Sequence, residues 1–280
     1  MAATQEVYAA PFDAVAERYD EAFTLSAIGG AQRRAVRNEL AGTFQAGDRA
    51  LEIGCGTGVD ACFLAERGVR VVASDSSSQM VAVTARRVQQ EGLGKLVHSI
   101  VLQAENLSSV GANPLFDGVF SNFGALNCVD DLPAFADSLA RLLKPGASAL
   151  LCWMGPYCAW EMLWYLAERN TKKAFRRLKS GGVTARIAEA SFVRVQYPSV
   201  KEFKRAFAPG FRLKSVKGIG VAVPPSYVEP WARHHPRLLQ MCERADIALS
   251  RIPGLRMLAD HVLVRFERRQ TGHERESQNL

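Results

Sequence analysis

Near residue 50, an apolar segment carries one acid, Glu52, and is followed by three glycines at alternate positions, Gly54, Gly56 and Gly58. Glycine adopts positive φ easily and leaves room for a ligand where a Cβ would collide. Residues 59–67 then repeat small and apolar side chains at helical spacing, so a helix N-terminus with unpaired N–H groups follows the glycines. The pattern predicts a strand that turns through a glycine loop into a helix, which is typical of nucleotide binding.

The glycine spacing and the neighbouring charge indicate the kind of ligand. The dinucleotide fingerprint Gly-x-Gly-x-x-Gly requires a glycine at position 59, where this chain has Val59. Glu52 would repel a pyrophosphate in the loop, whereas it would attract an ammonium or a sulfonium group. The sequence therefore favours a cationic ligand over a phosphorylated one.

Residues 51–58 resemble the first motif of the class I S-adenosylmethionine (SAM) dependent methyltransferases. Later segments resemble the next four motifs of that family in the same order, at residues 71–75, 100–107, 116–122 and 142–147. The resemblance covers about residues 12–153 and again 199–267. It implies SAM as the cofactor and S-adenosylhomocysteine (SAH) as the product.

The resemblance also implies a role for each part of the cofactor site. The glycines would surround the amino acid end of SAM, Glu52 would lie near its ammonium, and Asp75 would hold the ribose hydroxyls. Met80 would pack against the adenine, and Tyr19 would lie over the bound cofactor. The full set of implied cofactor residues is Tyr19, Glu52, Gly54, Cys55, Gly56, Gly58, Asp75, Ser76, Met80, Ala104, Glu105, Asn106, Ser121 and Asn122.

These side chains need a common scaffold, and alternating strands and helices over residues 49–153 predict a mostly parallel sheet covered on both faces. By resemblance, the fold is α/β and doubly wound, with seven strands, an N-terminal helical cap, an inserted helical lid and an antiparallel last strand at the sheet edge. The predicted divisions are 1–154 for the cap helices and the SAM-binding half, 155–198 for the helical lid, 199–223 for the sixth-strand region, 224–258 for a second lid insertion, 259–269 for the last strand and 270–280 for a disordered tail.

The two insertions are basic and aromatic. Residues 1–154 contain 12 Lys and Arg against 17 Asp and Glu, whereas residues 155–258 contain 19 against 7. A single amphipathic basic helix is predicted from Trp160 to Lys179. The tryptophans cluster in or beside the insertions, and the predicted substrate-binding residues are Asn122, Trp153, Trp160, Trp164, Tyr227 and Trp231. This composition suits an aromatic or anionic acceptor.

Methyl transfer from a sulfonium depends mainly on alignment of the acceptor, so no nucleophilic triad or metal ion is predicted. A general base is useful if the acceptor is a hydroxyl or an activated carbon, and the candidates are His234, His235 and Tyr19, with Tyr227 behind them. An amine or thiol acceptor needs no base. The sequence leaves oxygen, nitrogen, carbon and sulfur acceptors open.

No signal-peptide pattern and no run of 18 apolar residues is present, and the six cysteines form no C-x-x-C pair. We therefore expect a cytoplasmic protein with reduced thiols and no membrane span. The leading hypothesis is methyl transfer to a small molecule in a biosynthetic pathway, by a monomer or a homo-oligomer. The basic insertion prompts a nucleic-acid methyltransferase as the alternative, although residues 121–124 lack the Asn/Asp-Pro-Pro-aromatic run that grips a flipped base. A SAM-binding protein with other chemistry is the third hypothesis.

Overall fold

The computed structural model describes residues 10–111 and 113–270, and within them it contains nine α-helices and nine strands. The helices are α1 (Ala27–Ala41), α2 (Val59–Ala65), α3 (Ser78–Gln90), α4 (Leu132–Leu142), α5 (Ala159–Ala167), α6 (Thr171–Ala174), α7 (Val200–Phe207), α8 (Glu229–His234) and α9 (Pro236–Leu249). The strands are β1 (Arg49–Ile53), β2 (Arg70–Asp75), β3 (Val97–Val101), β4 (Phe116–Ser121), β5 (Leu143–Trp153), β6 (Val183–Ala188), β7 (Ser191–Val195), β8 (Phe211–Ile219) and β9 (His261–Arg268).

Seven strands form the main sheet in the order β3-β2-β1-β4-β5-β9-β8. The first five are parallel to one another, and β9 is antiparallel to both of its neighbours. The predicted fold class, a doubly wound and mostly parallel seven-stranded sheet, is confirmed.

The predicted edge position of the last strand is wrong, because β9 lies between β5 and β8. Val262, Leu263, Val264 and Phe266 of β9 are all buried, as expected for a strand covered on both faces. The outer strand β8 instead carries alternating basic side chains, which suit a solvent-exposed edge.

Successive residues of the inner strands enter two different cores. Leu51 and Val119 pack in one hydrophobic cluster, whereas Ala50 and Phe120 pack in the other. Because side chains alternate across a strand, each strand contributes to the helical layers on both faces. This double burial explains the nearly continuous apolar sequence of the strands and holds their carboxyl ends at fixed positions.

The N-terminal cap consists of a 3₁₀ helix, Asp13–Arg18, and a π-helical turn, Asp20–Thr24, followed by α1. The Ser77 hydroxyl donates a hydrogen bond of 2.5 Å to the Asp13 carboxylate, and the Thr57 hydroxyl donates one of 2.6 Å to the Asp20 carboxylate. These bonds attach the cap to the start of α3 and to the glycine loop. The α1 helix, Ala27–Ala41, follows these two elements and completes the cap.

The first insertion is not one continuous helix. Its predicted basic helix breaks after α5, where Arg169 has a φ of 57° and the Asn170 side chain caps α6 by accepting from the Lys173 amide. Left-handed backbone ends a helix, so the chain turns there. After two glycines at positive φ, Gly181 and Gly182, it forms the hairpin of β6 and β7, a separate two-stranded sheet.

The other predicted divisions fall between elements of the fold. The boundary at 154/155 separates β5 from α5, and the segment 224–258 contains α8 and α9. The predicted tail lies outside the described residues, apart from its first residue, Gln270. None of the helices in the described ranges is long and apolar enough to cross a bilayer.

Candidate functional site

The carboxyl ends of the parallel strands bring together side chains that are far apart in sequence. Glu52 lies near the end of β1 and pairs in register with Ala73 of β2 and Phe120 of β4. Asp75 ends β2 and Ser121 ends β4. In a parallel doubly wound sheet, ligands bind at this edge, where the crossover connections diverge.

Backbone geometry requires glycine in the loop after β1. Gly54 has a φ of 72°, and a Cβ there would lie 2.2 Å from the Cβ of Ala125. Gly56 has a φ of 54°, but a Cβ there would meet no atom within 4 Å. The first glycine therefore permits packing against the turn after β4, whereas the second exposes bare backbone to open space that a ligand can fill.

Glu52 is a buried acid with an unpartnered oxygen. Its relative exposure is 2%, and its Oε2 atom has no hydrogen-bond partner among the described residues. Burial raises the pKa of Glu52 well above its usual range, and nearby Asp60 raises it further. A ligand ammonium in this position would supply the missing donor.

Two more unpartnered oxygens lie at the end of β4. Ser121 Oγ and Asn122 Oδ1 are both enclosed, and neither has a partner in the part of the chain that the structure describes. Buried polar atoms in native proteins are nearly always paired. All three side chains lie at the strand-end edge, and Glu52 and Asn122, which are both close to Asp60, fit the zwitterionic amino acid end of SAM.

Asp75 ties the glycine loop to the next strand. Its Oδ2 accepts a hydrogen bond of 2.9 Å from the Gly56 amide, and its Oδ1 accepts one of 2.9 Å from the Ser77 amide. Burial raises the pKa of Asp75, and the two amides counteract this rise. A carboxylate has about four acceptor sites, so the bonds to the backbone leave capacity for ribose hydroxyls.

The residues implied for adenine binding surround this acid. Met80 is buried in the first turn of α3, and Ser76 is exposed just before it. Ala104, Glu105 and Asn106 form the start of a 3₁₀ helix, Ala104–Ser109, after β3. Cys55 is buried in the glycine loop, where its amide donates to the Ser74 carbonyl. All these residues lie on the strand-end edge, and their roles remain predictions.

A buried ion-pair network orients Asn122. Asp60, in the first turn of α2, accepts hydrogen bonds from Arg33 at 2.6 Å, from Arg37 at 2.9 Å and from the Asn122 side-chain amide at 3.0 Å. Donation by the Asn122 amide points its free oxygen away from Asp60. Sequence reasoning missed this network. Its signal in the sequence is the pair Arg33 and Arg37, four positions apart on α1, but their acidic partner Asp60 is on α2.

Tyr19 stands between the cofactor side and a neighbouring cavity. Burial raises the pKa of its phenol, Arg33 opposes the rise, and Asp75 adds to it. The ring also packs 6.0 Å from that of Phe23. The cap therefore places an aromatic side chain over the edge where the resemblance expects the cofactor.

The neighbouring cavity has a volume of about 200 Å³. It lies between the cap, the ends of β4 and β5 and both insertions. Its lining is Tyr19, Phe23, Phe123, Met154, Glu161, Arg176, Arg177, Pro225, Ser226, Tyr227, Asp260 and His261. The lining combines aromatic side chains with a group of charged ones.

The charged group is internally compensated. Glu161, 1% exposed, accepts hydrogen bonds from Arg176 at 2.7 and 3.0 Å and from Arg177 at 2.9 and 3.1 Å. Arg177 also donates to the Asp260 carboxylate at 2.7 Å and to its backbone carbonyl at 2.8 Å. The network joins the first insertion to the start of β9 and leaves no uncompensated charge on Arg177.

The structure places most of the predicted substrate residues outside this cavity. Trp153 is fully buried and stacks on Phe203 with ring centroids 3.8 Å apart. The Trp160 indole donates to the Ala222 carbonyl at 3.2 Å. Trp164 is partly exposed at 40%, and Trp231 packs against His235. Of the residues predicted to bind the acceptor, only Tyr227 lines the cavity, and its hydroxyl is buried without a partner among the residues described.

Of the three predicted bases His234, His235 and Tyr19, two lie outside the cavity and one lines it. His234 and His235 are exposed where α8 meets α9, and neither lines the cavity. His234 Nδ1 lies 2.6 Å from the Pro230 carbonyl of its own helix. Tyr19 does line the cavity. Sequence reasoning missed His261, whose only signal is a histidine at the first position of the last strand.

Within residues 10–111 and 113–270, no group of three or more His, Cys, Asp or Glu side chains is arranged to hold a metal ion. The six cysteines are all free thiols. Burial raises the pKa of Cys152 and of Cys158 to about 12. These two thiols are therefore protonated at neutral pH.

Comparison with known proteins finds one family model and a group of relatives that match part of the chain. Residues 50–146 match the model of a family described as a methyltransferase domain. A demethylmenaquinone methyltransferase from Clavibacter sepedonicus is 34% identical over 143 residues, which are 51% of this chain and 56% of that protein. The chain thus spans about half the length of the curated relatives that it matches.

Solved structures share the fold over nearly the whole chain. The CcbJ methyltransferase from Streptomyces caelestis superposes with a TM-score of 0.59 at 17% identity, covering 94% of this chain and 99% of that one. The cyclase SpnF superposes with a TM-score of 0.53 at 16% identity, covering 92% of this chain and 81% of that one. At these identities the likeness concerns the fold alone.

Proposed function

We propose that this chain is a class I SAM-dependent methyltransferase that transfers a methyl group from SAM to a small-molecule acceptor, and the match of residues 50–146 to a methyltransferase-domain model supports this. The observation that carries the proposal is the pair of unpartnered buried oxygens of Glu52 and Asn122, both near Asp60, together with the open backbone of Gly56 in the adjoining loop. These atoms match an amino acid end that carries its own donors. The cavity beside them provides a separate place for an acceptor.

When bound, SAM supplies a methyl group on a sulfonium, which is already an activated leaving group. Glu52 would accept hydrogen bonds from the ammonium, Asp75 from the ribose hydroxyls, and Met80 would pack against the base. Tyr19 and Phe123 would exclude water from the region between cofactor and acceptor. Alignment of this kind lowers the activation barrier by roughly 7–11 kcal/mol.

The cavity supports a small, flat and uncharged acceptor. Its aromatic side chains, which include Phe23, Phe123 and Tyr227, suit stacking on a ring. Arg177 in the same lining donates to Glu161 and Asp260, so an anionic group would find no free guanidinium there. The curated relative is named for demethylmenaquinone, and we propose an aromatic or quinol ring as the acceptor class. All six thiols are free, which supports the proposed cytoplasmic location.

Transfer of radiolabel tests the proposal. The protein is incubated with methyl-labelled SAM and separate panels of phenols, hydroquinones, amines and thiols, and parallel reactions contain RNA or DNA at low salt. We expect label in a small aromatic acceptor. Label in nucleic acid, or SAM binding with no transfer to any panel, would contradict the proposal and favour the nucleic-acid or the non-methylating alternative respectively.

A further inference from the structure

The strand order places one histidine at the reactive edge of the sheet. Because β9 runs antiparallel to β5, its first residue lies at the same edge as the carboxyl ends of the parallel strands. In register, Val262 pairs with Trp153, so His261 lies opposite the chain that leaves β5 at Met154. Its ring packs edge-on against Phe123 with centroids 5.5 Å apart, and it lines the acceptor cavity.

His261 is buried, at 6% exposure, and its enclosed Nδ1 has no hydrogen bond of regular geometry with a described residue. Nδ1 is enclosed and lies 3.3 Å from Asp260 Oδ2, within ion-pair distance but outside hydrogen-bond geometry. A histidine that served only packing would satisfy at least one nitrogen. With Nδ1 beside Asp260, the other ring nitrogen is available to a partner that enters the cavity.

Asp260 is held as an ionised carboxylate next to this ring. Its Oδ1 accepts a hydrogen bond of 2.7 Å from Arg177, and its Oδ2 accepts one of 3.1 Å from Gln32. Burial alone would raise the pKa of Asp260, but His261 and Arg177 outweigh burial and hold this pKa below its usual range. A fixed anion beside the imidazole stabilises the imidazolium form.

We infer that His261 is the general base of this enzyme and that the acceptor presents a neutral, proton-bearing hydroxyl on an aromatic ring. Asp260 acts as a positioning residue that also compensates the charge of the imidazolium. This inference rests on the proposed methyl transfer and adds to it the acceptor group and the proton acceptor. Tyr227, whose buried hydroxyl has no partner among the described residues, supplies a second polar contact in the same cavity.

The step balances in atoms and charge. The acceptor oxygen forms a bond to the methyl carbon while the bond from that carbon to sulfur breaks, and the sulfur keeps the electron pair as a neutral thioether. The hydroxyl proton passes to a ring nitrogen of His261. The positive charge that leaves sulfur thus reappears on the imidazolium, next to Asp260.

The other charged and titratable groups around the cavity do not offer a competing base. Glu161 is bound by Arg176 and Arg177. Tyr19 and Tyr227 both have phenol pKa values raised by burial. At neutral pH these phenols are protonated, so they cannot accept a proton from the acceptor.

Binding of 4-nitrophenol tests the inference without knowledge of the natural acceptor, because the anion of this probe absorbs visible light and its neutral form does not. The probe is titrated against pH with the SAH complex of wild type, His261→Asn and His261→Gln. The matched control is His98→Asn, an exposed histidine on β3. We expect the wild type and the control to increase the ionisation constant of the bound probe roughly tenfold or more, which is about one pKa unit, and both His261 variants to lose the increase.

Methylation of phenol as a second probe, whose hydroxyl is neutral at pH 7, with labelled SAM gives a second readout. Loss of the base is expected to lower the turnover rate by roughly 10²–10⁴-fold at neutral pH. The defect should shrink at high pH, where the probe is ionised before it binds. SAH affinity and thermal stability are measured for each variant to confirm an intact cofactor site.

The possible failures can be told apart. If SAH and SAM do not bind the wild type, the proposed function fails. If SAH binds but 4-nitrophenol does not, or if the ionisation of 4-nitrophenol and the methylation of phenol are the same in wild type and both His261 variants, methyl transfer stands and the assignment of His261 with a hydroxyl acceptor is overturned.

Discussion

At the scale of single residues, Glu52 lowers the stability of the free protein, and its proposed role is to bind the ammonium of SAM. A buried carboxylate without a partner opposes folding, because water would solvate it in the unfolded chain. The pKa of Glu52 is raised in the folded protein, so its contribution to stability is fully present below the unfolded pKa and is lost as pH rises through the folded value. A bound ammonium would reverse this cost.

Glu52→Gln should therefore stabilise the free protein while weakening cofactor binding. We expect a higher melting temperature than wild type at pH 8, and a difference that shrinks toward pH 4, where Glu52 is protonated in both states. Affinity for SAM should fall by about 2 kcal/mol or more, because the ammonium loses its buried counter-charge. Thermal denaturation across pH and calorimetric titration measure the two effects; equal SAM affinity in both proteins would refute the role of Glu52.

A substitution at Gly56 allows the effect of backbone strain on stability to be distinguished from the effect of a side chain on ligand binding. Gly56→Ala should cost about 1–2 kcal/mol of folding stability, because an L-residue is strained at positive φ. Its Cβ would also enter the open space beside Glu52 and should abolish measurable SAM binding. The matched control is Gly92→Ala, since Gly92 has a φ of 69° and open surroundings at the end of α3. Similar stability losses with unequal SAM affinities are expected; equal affinities would show that no ligand occupies the loop.

The positions of single residues at the strand ends could be predicted where the sequence signal is local. Glu52, Gly56 and Asp75 occur in short motifs whose spacing fixes the backbone, and the structure brings them together at one edge. His261 escaped prediction because its neighbour Asp260 is held by Arg177 and Gln32, which lie 83 and 228 positions away from Asp260 in the chain. No periodic pattern in the sequence records such a contact.

At the scale of elements, the buried ion pairs of the first insertion fasten α5 and the turn after α6 to the start of β9. Glu161→Gln leaves two arginines without their common carboxylate. We expect a loss of about 3–5 kcal/mol in the free energy of unfolding, because breaking a buried pair strands the remaining charge. The exposed pair of Asp130 and Arg194, 4.0 Å apart, provides the control, and Asp130→Asn should cost about 0.5 kcal/mol or less.

Urea denaturation measures the free energy of unfolding of the Glu161→Gln and Asp130→Asn variants. A Glu161→Gln protein as stable as the wild type would show that the insertion is not fastened by this network. SAM affinity should change little in either variant, because the network lies on the acceptor side of Tyr19.

Elements of the insertions were harder to predict than those of the sheet. The residues from Trp160 onward have helical periodicity, yet Arg169 at positive φ ends α5 and two glycines lead into the hairpin of β6 and β7. The position of β9 inside the sheet depends on its pairing with β5 and β8, which are remote in sequence. By contrast, β1, β2 and β4 could be predicted, because each combines an apolar run with a polar terminus.

At the scale of the whole molecule, one edge of the sheet holds both the predicted cofactor residues and the proposed base His261. The parallel strands carry the predicted cofactor residues to that edge, and the antiparallel β9 brings His261 to it from the opposite direction. The cap and the two insertions close around the cavity between them. The sheet pattern was therefore visible in the sequence, whereas the proposed acceptor side is built from segments that meet only in the folded chain.

The central claim is that the glycine loop with Glu52 binds a positively charged sulfur nucleoside. Calorimetric titration of the purified protein with SAM, SAH, a nicotinamide dinucleotide and a flavin dinucleotide tests it most directly. Saturable one-to-one binding of SAM and SAH, with no heat from either dinucleotide, is the predicted result. Tight binding of a dinucleotide together with no binding of SAM or SAH would contradict the account.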